Sequence, residues 1–108
     1  MATSYKILGQ RAPSATTETD LYTVPGATEA VVSSIIICNR GAFGTFRISI
    51  SGGGGATANA DYIYYDLTLA ANDTFIATVG ITLSATDVVR VYASTADFSF
   101  NLYGSEII

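Results

Sequence analysis

The chain has 108 residues, enough for one domain closed around one core, so no second domain is expected. Hydrophobic residues make up 49% of it and charged residues only 13%, against roughly 25% in an ordinary soluble domain. It contains no histidine, which removes the commonest general base and metal ligand and with it most catalytic designs.

The first expected strand is Ser4 to Gln10, and the loop or crossing arm Arg11 to Thr17 follows, small and polar, with Pro13 unable to donate to a ladder. Leu21 to Val24 is a short second strand stopped by Pro25-Gly26. Ala30 to Cys38 is apolar on both faces, which suits a central strand buried on both sides or covered by a neighbouring subunit. After the turn Asn39-Arg40-Gly41, Thr45 to Ser51 alternates, with Phe46, Ile48 and Ile50 on one face. Gly52 to Gly55 opens a flexible, exposed hairpin tip. In Asp61 to Leu69 the alternation puts Ile63, Tyr65, Leu67 and Leu69 inward, and Tyr62, Tyr64, Asp66 and Thr68 outward. Thr74 to Gly80, Ile81 to Leu83, Val88 to Ala93 and Phe98 to Tyr103 complete the set. Turn signals every 8 to 12 residues, with no helical period, predict an all-β antiparallel sandwich or jelly-roll of about eight strands over residues 1–108, with a short N-terminal arm.

Charge and chemistry narrow the function by elimination. A net charge of -4, a pI near 4.3 and the scattered cations Lys6, Arg11, Arg40, Arg47 and Arg90 argue against nucleic acid as a partner. No apolar run approaches the ~20 residues that span a bilayer, and Met1 to Lys6 has no leader pattern, so a soluble product made in the cytoplasm is expected. Cys38 is the single cysteine, so no intrachain disulfide forms; within its apolar run it reads as a small buried hydrophobe. The glycine run lacks the Gly-Lys-Ser/Thr of a phosphate loop. Asp61, Asp66, Asp73, Asp87 and Asp97 fall at or near strand ends without calcium-loop spacing, and read as turn formers; a carboxylate pair for glycoside hydrolysis would need a cleft that short loops do not provide. Asn72-Asp73-Thr74 matches a glycosylation sequon but reads as a turn. Without histidine no serine nucleophile is assembled, and Lys6 is the only lysine available to replace it as a base, so no catalytic residue, cofactor or metal is expected. Tyr62, Tyr64, Tyr92 and Tyr103 stand outward in these registers and are the candidate interface residues, with Pro13 in the adaptable loop; outward tyrosines also suit sugar stacking.

Several segments carry a family likeness. Thr3 to Gln10, Thr19 to Pro25, Ile36 to Gly41, and Leu83 to Ala93 followed by Phe98 to Glu106 resemble small virion structural proteins of tailed bacteriophages, particularly cyanophages. The likeness spans nearly the whole chain; the block Asp87-Val88-Val89-Arg90-Val91-Tyr92-Ala93 is also similar to β domains appended to phage tail fibres. It implies a non-enzymatic part of a virion, made in the host cytoplasm, with other virion proteins and copies of itself as partners. The expected role is capsid decoration, as a homo-oligomer and a trimer if it sits at capsid junctions. The alternative is a tail, neck or fibre-associated domain that binds carbohydrate. The loop Arg11 to Thr17 and the segment before Ser4 are expected to reach a neighbour.

Overall fold

Period-two alternation produces eight strands in a computed structural model that describes residues 2–108: β1 (Thr3–Arg11), β2 (Thr19–Thr23), β3 (Glu29–Asn39), β4 (Gly44–Ser51), β5 (Tyr62–Leu69), β6 (Thr74–Leu83), β7 (Val88–Ala93) and β8 (Phe98–Ile107). They form two four-stranded antiparallel sheets, ordered β1-β8-β3-β6 and β2-β7-β4-β5. The order is that of one long hairpin rolled up. Its tip joins β4 to β5, and β3 with β6, β2 with β7, and β1 with β8 pair successively back along it. Curling the ribbon sets β8 beside β3 and β7 beside β4. This is the jelly-roll connectivity of an all-β sandwich.

Facing sides of the two sheets make the core. Phe46 and Ile48 of β4, Ile35 and Ile37 of β3, and Phe98, Phe100 and Leu102 of β8 are fully buried. Phe46 is the hub, with its ring centroid 5.6 Å from Phe75, 6.1 Å from Tyr64 and 6.2 Å from both Phe98 and Phe100, the spacing at which tilted aromatic rings attract. Ile50 is only partly buried, and Leu67, on the edge strand β5, is exposed.

Buried polar groups are all matched among the described residues. Asn39, at the end of β3, shares its amide hydrogens among the carbonyls of Ala42, Leu69 and Ala70, while its Oδ1 accepts from the Gly41 N–H at 3.0 Å. One side chain thus fastens the β3–β4 loop to the β5–β6 turn. Gly104 permits a close approach on the other side of β3: a Cβ there would overlap the carbonyl of Val31, next to the bulge at Ser33.

Several local expectations change. β8 continues past Tyr103 to Ile107, and β6 runs through Gly80 without a break. The expected N-terminal arm is part of the ladder: Ala2 and Ile108 exchange both backbone hydrogen bonds, at 3.1 and 2.9 Å, and β1 pairs along β8 from Thr3; Met1 lies outside the described residues. Arg11 to Thr17 does cross between the sheets; Pro13 is buried and the Thr16 N–H donates to Ala93 O at 2.8 Å, while the other residues of the loop are exposed. β3 is central and buried on its inner side alone. Its outer side, with Val31, Ile36 and Cys38, is half-buried, so Cys38 is not a core residue. Replacing Phe46 with alanine empties the hub and is expected to cost about 3 to 5 kcal/mol, measured as the shift in the urea unfolding midpoint.

Candidate interaction surface

Inward placement of Phe46 turns the next side chain, Arg47, to the outside of the β2-β7-β4-β5 sheet, directly across the ladder from Tyr92. On its other side β5 departs from simple alternation. Phe46 pairs with Leu67, Ile48 with Tyr64 and Ser49 with Tyr62, so β5 carries extra residues at two bulges, one of them at Asp66, whose φ is 51°. Each bulge shifts the phase by one residue. Tyr64 is therefore an inward residue, 5.4 Å from Phe75 in an edge-on pair, which corrects the expectation that it faces out. Tyr65 faces out instead, as does Tyr62, where the second bulge restores the original phase.

The outer face is built around Arg47. Its guanidinium carbon lies 4.3 Å from the ring centre of Tyr65 and 4.4 Å from that of Tyr92, and its Nε donates to Asp66 Oδ1 at 2.6 Å. Asp66 raises the guanidinium's affinity for its proton. Tyr65 continues the row edge-on to Tyr62 with 4.9 Å between centroids, and the two rings with Asn59 line a shallow groove of 260 Å³. The result is a ridge in the order Tyr92, Arg47, Tyr65, Tyr62, apolar on its ring faces and electrically balanced at its centre.

Beside the ridge, Arg90 organises the glycine loop. It pairs with Asp20 at 3.0 Å and donates to Ser51 Oγ, Thr57 Oγ1 and the carbonyls of Gly54 and Gly55. Asp87 holds the same loop through the Gly53 N–H and also accepts from the Ser84 N–H. Those bonds keep its carboxyl below the usual range. The Gly52 to Gly55 tip is largely exposed, as expected, and Gly53, Gly54 and Gly55 take part in these hydrogen bonds. Asp61 and Asp73 likewise accept turn N–H groups, as the sequence suggested.

The five sequence-predicted interface residues do not converge. Tyr62 and Tyr92 share the ridge, Tyr103 lies on the outside of the opposite sheet, and Tyr64 and Pro13 are turned into the domain. Arg47 and Tyr65 are the central residues that sequence reasoning missed. One further group was not foreseen: buried Glu106 accepts from the Tyr22 hydroxyl at 2.5 Å and pairs with Lys6 Nζ at 2.5 Å. Lys6, helped by Tyr22, holds the Glu106 carboxyl below its ordinary value, while burial and then Glu106 push the Tyr22 hydroxyl up. All three side chains are engaged with one another, which makes the cluster a clasp between β1, β2 and β8. Comparison with known protein families and with curated proteins returns no match.

Arg47→Met removes two ring contacts worth about 0.5 to 1 kcal/mol each and a partly exposed ion pair worth about 0.2 to 1 kcal/mol. A loss of about 1 to 2 kcal/mol in denaturant unfolding is expected, and Arg47→Lys recovers only part of it because an ammonium cannot span both rings. For Glu106 the folded carboxyl is the stronger acid. Its stabilisation is complete above the ordinary glutamate value of about 4.3 and is lost as pH falls through the lower folded value. Thermal unfolding of Glu106→Gln against pH is expected to start lower at pH 7 and fall less steeply below about pH 4.

Proposed function

We propose that this chain is a non-enzymatic structural protein of a tailed-phage particle, and within that class a decoration protein that adds contacts over the head shell. The observation that carries the reading is the ridge of Tyr92, Arg47, Tyr65 and Tyr62. Tyrosine and arginine are the residue types that dominate the energetics of protein interfaces, and here their rotamers are fixed before a partner arrives, which lowers the ordering cost of binding. Two further points support it. Jelly-rolls recur in viral capsid and lectin domains, an analogy of fold alone. The sequence blocks Thr3 to Gln10 and Leu83 to Ala93 resemble small phage virion proteins. A small contact repeated over many copies stabilises a shell by mass action, so each domain needs only modest affinity.

One observation favours a second reading. The groove between Asn59, Tyr62 and Tyr65 offers ring faces beside an amide, which suits a sugar ring and would place the chain on a tail, neck or fibre.

Adding the purified chain back to particles that lack it tests both. The decoration reading expects head binding and restored thermal survival, with Tyr65→Ala weakening the binding by about 30-fold, the size of an interface hot spot. Binding to heads that ignores Tyr65→Ala, or binding confined to tails, would overturn it. Saturable uptake of an oligosaccharide by titration, lost in Tyr62→Ala, would select the sugar reading.

A further inference from the structure

Opposite the ridge, the outer face of the β1-β8-β3-β6 sheet has no partner within the domain. Tyr5 is 85% exposed, Ile76 64% and Ile7 51%, with Val31, Ile36 and Tyr103 half-buried between them. Tyr5, Ile7, Val31 and Tyr103 line a groove of 490 Å³ on this face. Apart from Lys6, which also lines the groove and is neutralised by Glu106, charge lies at its ends. Lys6 turns inward to Glu106, and Arg11 reaches across to the Asp20 carbonyl. Glu29 begins β3 on the outer side, since Ala30 next to it is buried, and Arg40 just beyond β3 donates to Ser99 Oγ at 2.8 Å on the same side. Neither has an ion-pair partner among the described residues, whereas Lys6, Arg47 and Arg90 all do.

We infer that this face binds a second copy of the chain, face to face, with the two β3 strands antiparallel across a two-fold axis. A symmetric contact requires a patch complementary to itself. With a net charge of -4, a face bearing the chain's acidic excess would repel its own copy; a face whose few charges balance does not. Glu29 and Arg40 stand roughly 36 Å apart at the two ends of β3. Antiparallel stacking lays each over its opposite in the other copy, and parallel stacking would lay like over like. The midpoint between them falls at Ser34, which pairs with Thr78 of β6 and Tyr103 of β8. Rotation about that point carries Ile76, two residues before Thr78, onto Gly80 of the second copy, two residues after it. Ile76 projects from the sheet, and the space over Gly80 is open. Knob and gap are thus supplied by the same strand. Four strands about 4.8 Å apart and about 33 Å long give a footprint of roughly 600 Å² before side-chain relief, near the ~800 Å² per partner of a standard stable interface.

The inference deepens the self-association expected of a decoration protein, yet its test is in solution and needs no particle, so either can fail alone. Light scattering at high micromolar concentration is expected to give twice the 11.3 kDa chain mass. Ile76→Lys, at a position already exposed, is expected to keep the far-ultraviolet spectrum and raise the dimer dissociation constant by at least about 30-fold. Arg40→Glu weakens the dimer, the double variant Glu29→Arg with Arg40→Glu restores it, and Tyr65→Ala on the opposite face leaves it intact. A wild-type monomer or trimer, a dimer indifferent to Ile76→Lys, or a charge-swapped pair without recovery would overturn the inference.

Discussion

Phe46 and Arg47 occupy successive positions of one strand, and the pleat sends them to opposite sides of the sheet. Everything that distinguishes this sandwich from a generic one hangs on that pair. Phe46 touches aromatic rings from both sheets and locks β4 into a single register, since a slip by one residue would carry a guanidinium into the core and a phenyl ring into water. Arg47 is thereby held at the centre of the outer face, where Tyr65 and Tyr92 close on it from the two neighbouring strands. Core packing and the make-up of the outer face are two consequences of one alternation.

The rest of the polar architecture keeps the surfaces rigid. Asn39 fastens two turns at one end of the sandwich, and Glu106 draws together Lys6 and Tyr22 from different strands. Arg90 and Asp87 hold a four-glycine loop that composition alone would leave mobile. Ala2 and Ile108 are joined to each other by two backbone hydrogen bonds. A domain held this way presents preformed faces, which is the condition under which the entropy cost of ordering on binding is small.

Much of this was legible in the sequence, and for identifiable reasons. Clean alternation in Thr45 to Ser51 and Phe98 to Leu102 located β4 and β8 and named Phe46, Ile48, Phe100 and Leu102 as core residues, because a half-buried strand must alternate. Pro25-Gly26 and Asn39-Arg40-Gly41 marked turns that are present. Bulges were not legible. Nothing in Tyr62-Ile63-Tyr64-Tyr65-Asp66 announces two extra residues, beyond the weak hint that aspartate tolerates positive φ more readily than most. The assignment of Tyr64 outward and Tyr65 inward followed from an unbroken period of two and failed where the period broke. Sheet order was equally hidden, since Glu106 finds Tyr22 across 84 residues and no local pattern encodes that meeting.

The outer ridge exists because β5 buries Tyr64 and presents Tyr65. Nuclear Overhauser contacts between aromatic rings read this directly. Contacts from Tyr64 to Phe46 and Phe75 are expected, together with contacts from Tyr65 to Tyr62 and to the Arg47 side chain, and none from Tyr65 to Phe75. The reverse pattern, with Tyr65 against Phe75 and Tyr64 beside Arg47, would mean that β5 alternates without bulges, and the ridge on which the proposed function rests would not exist.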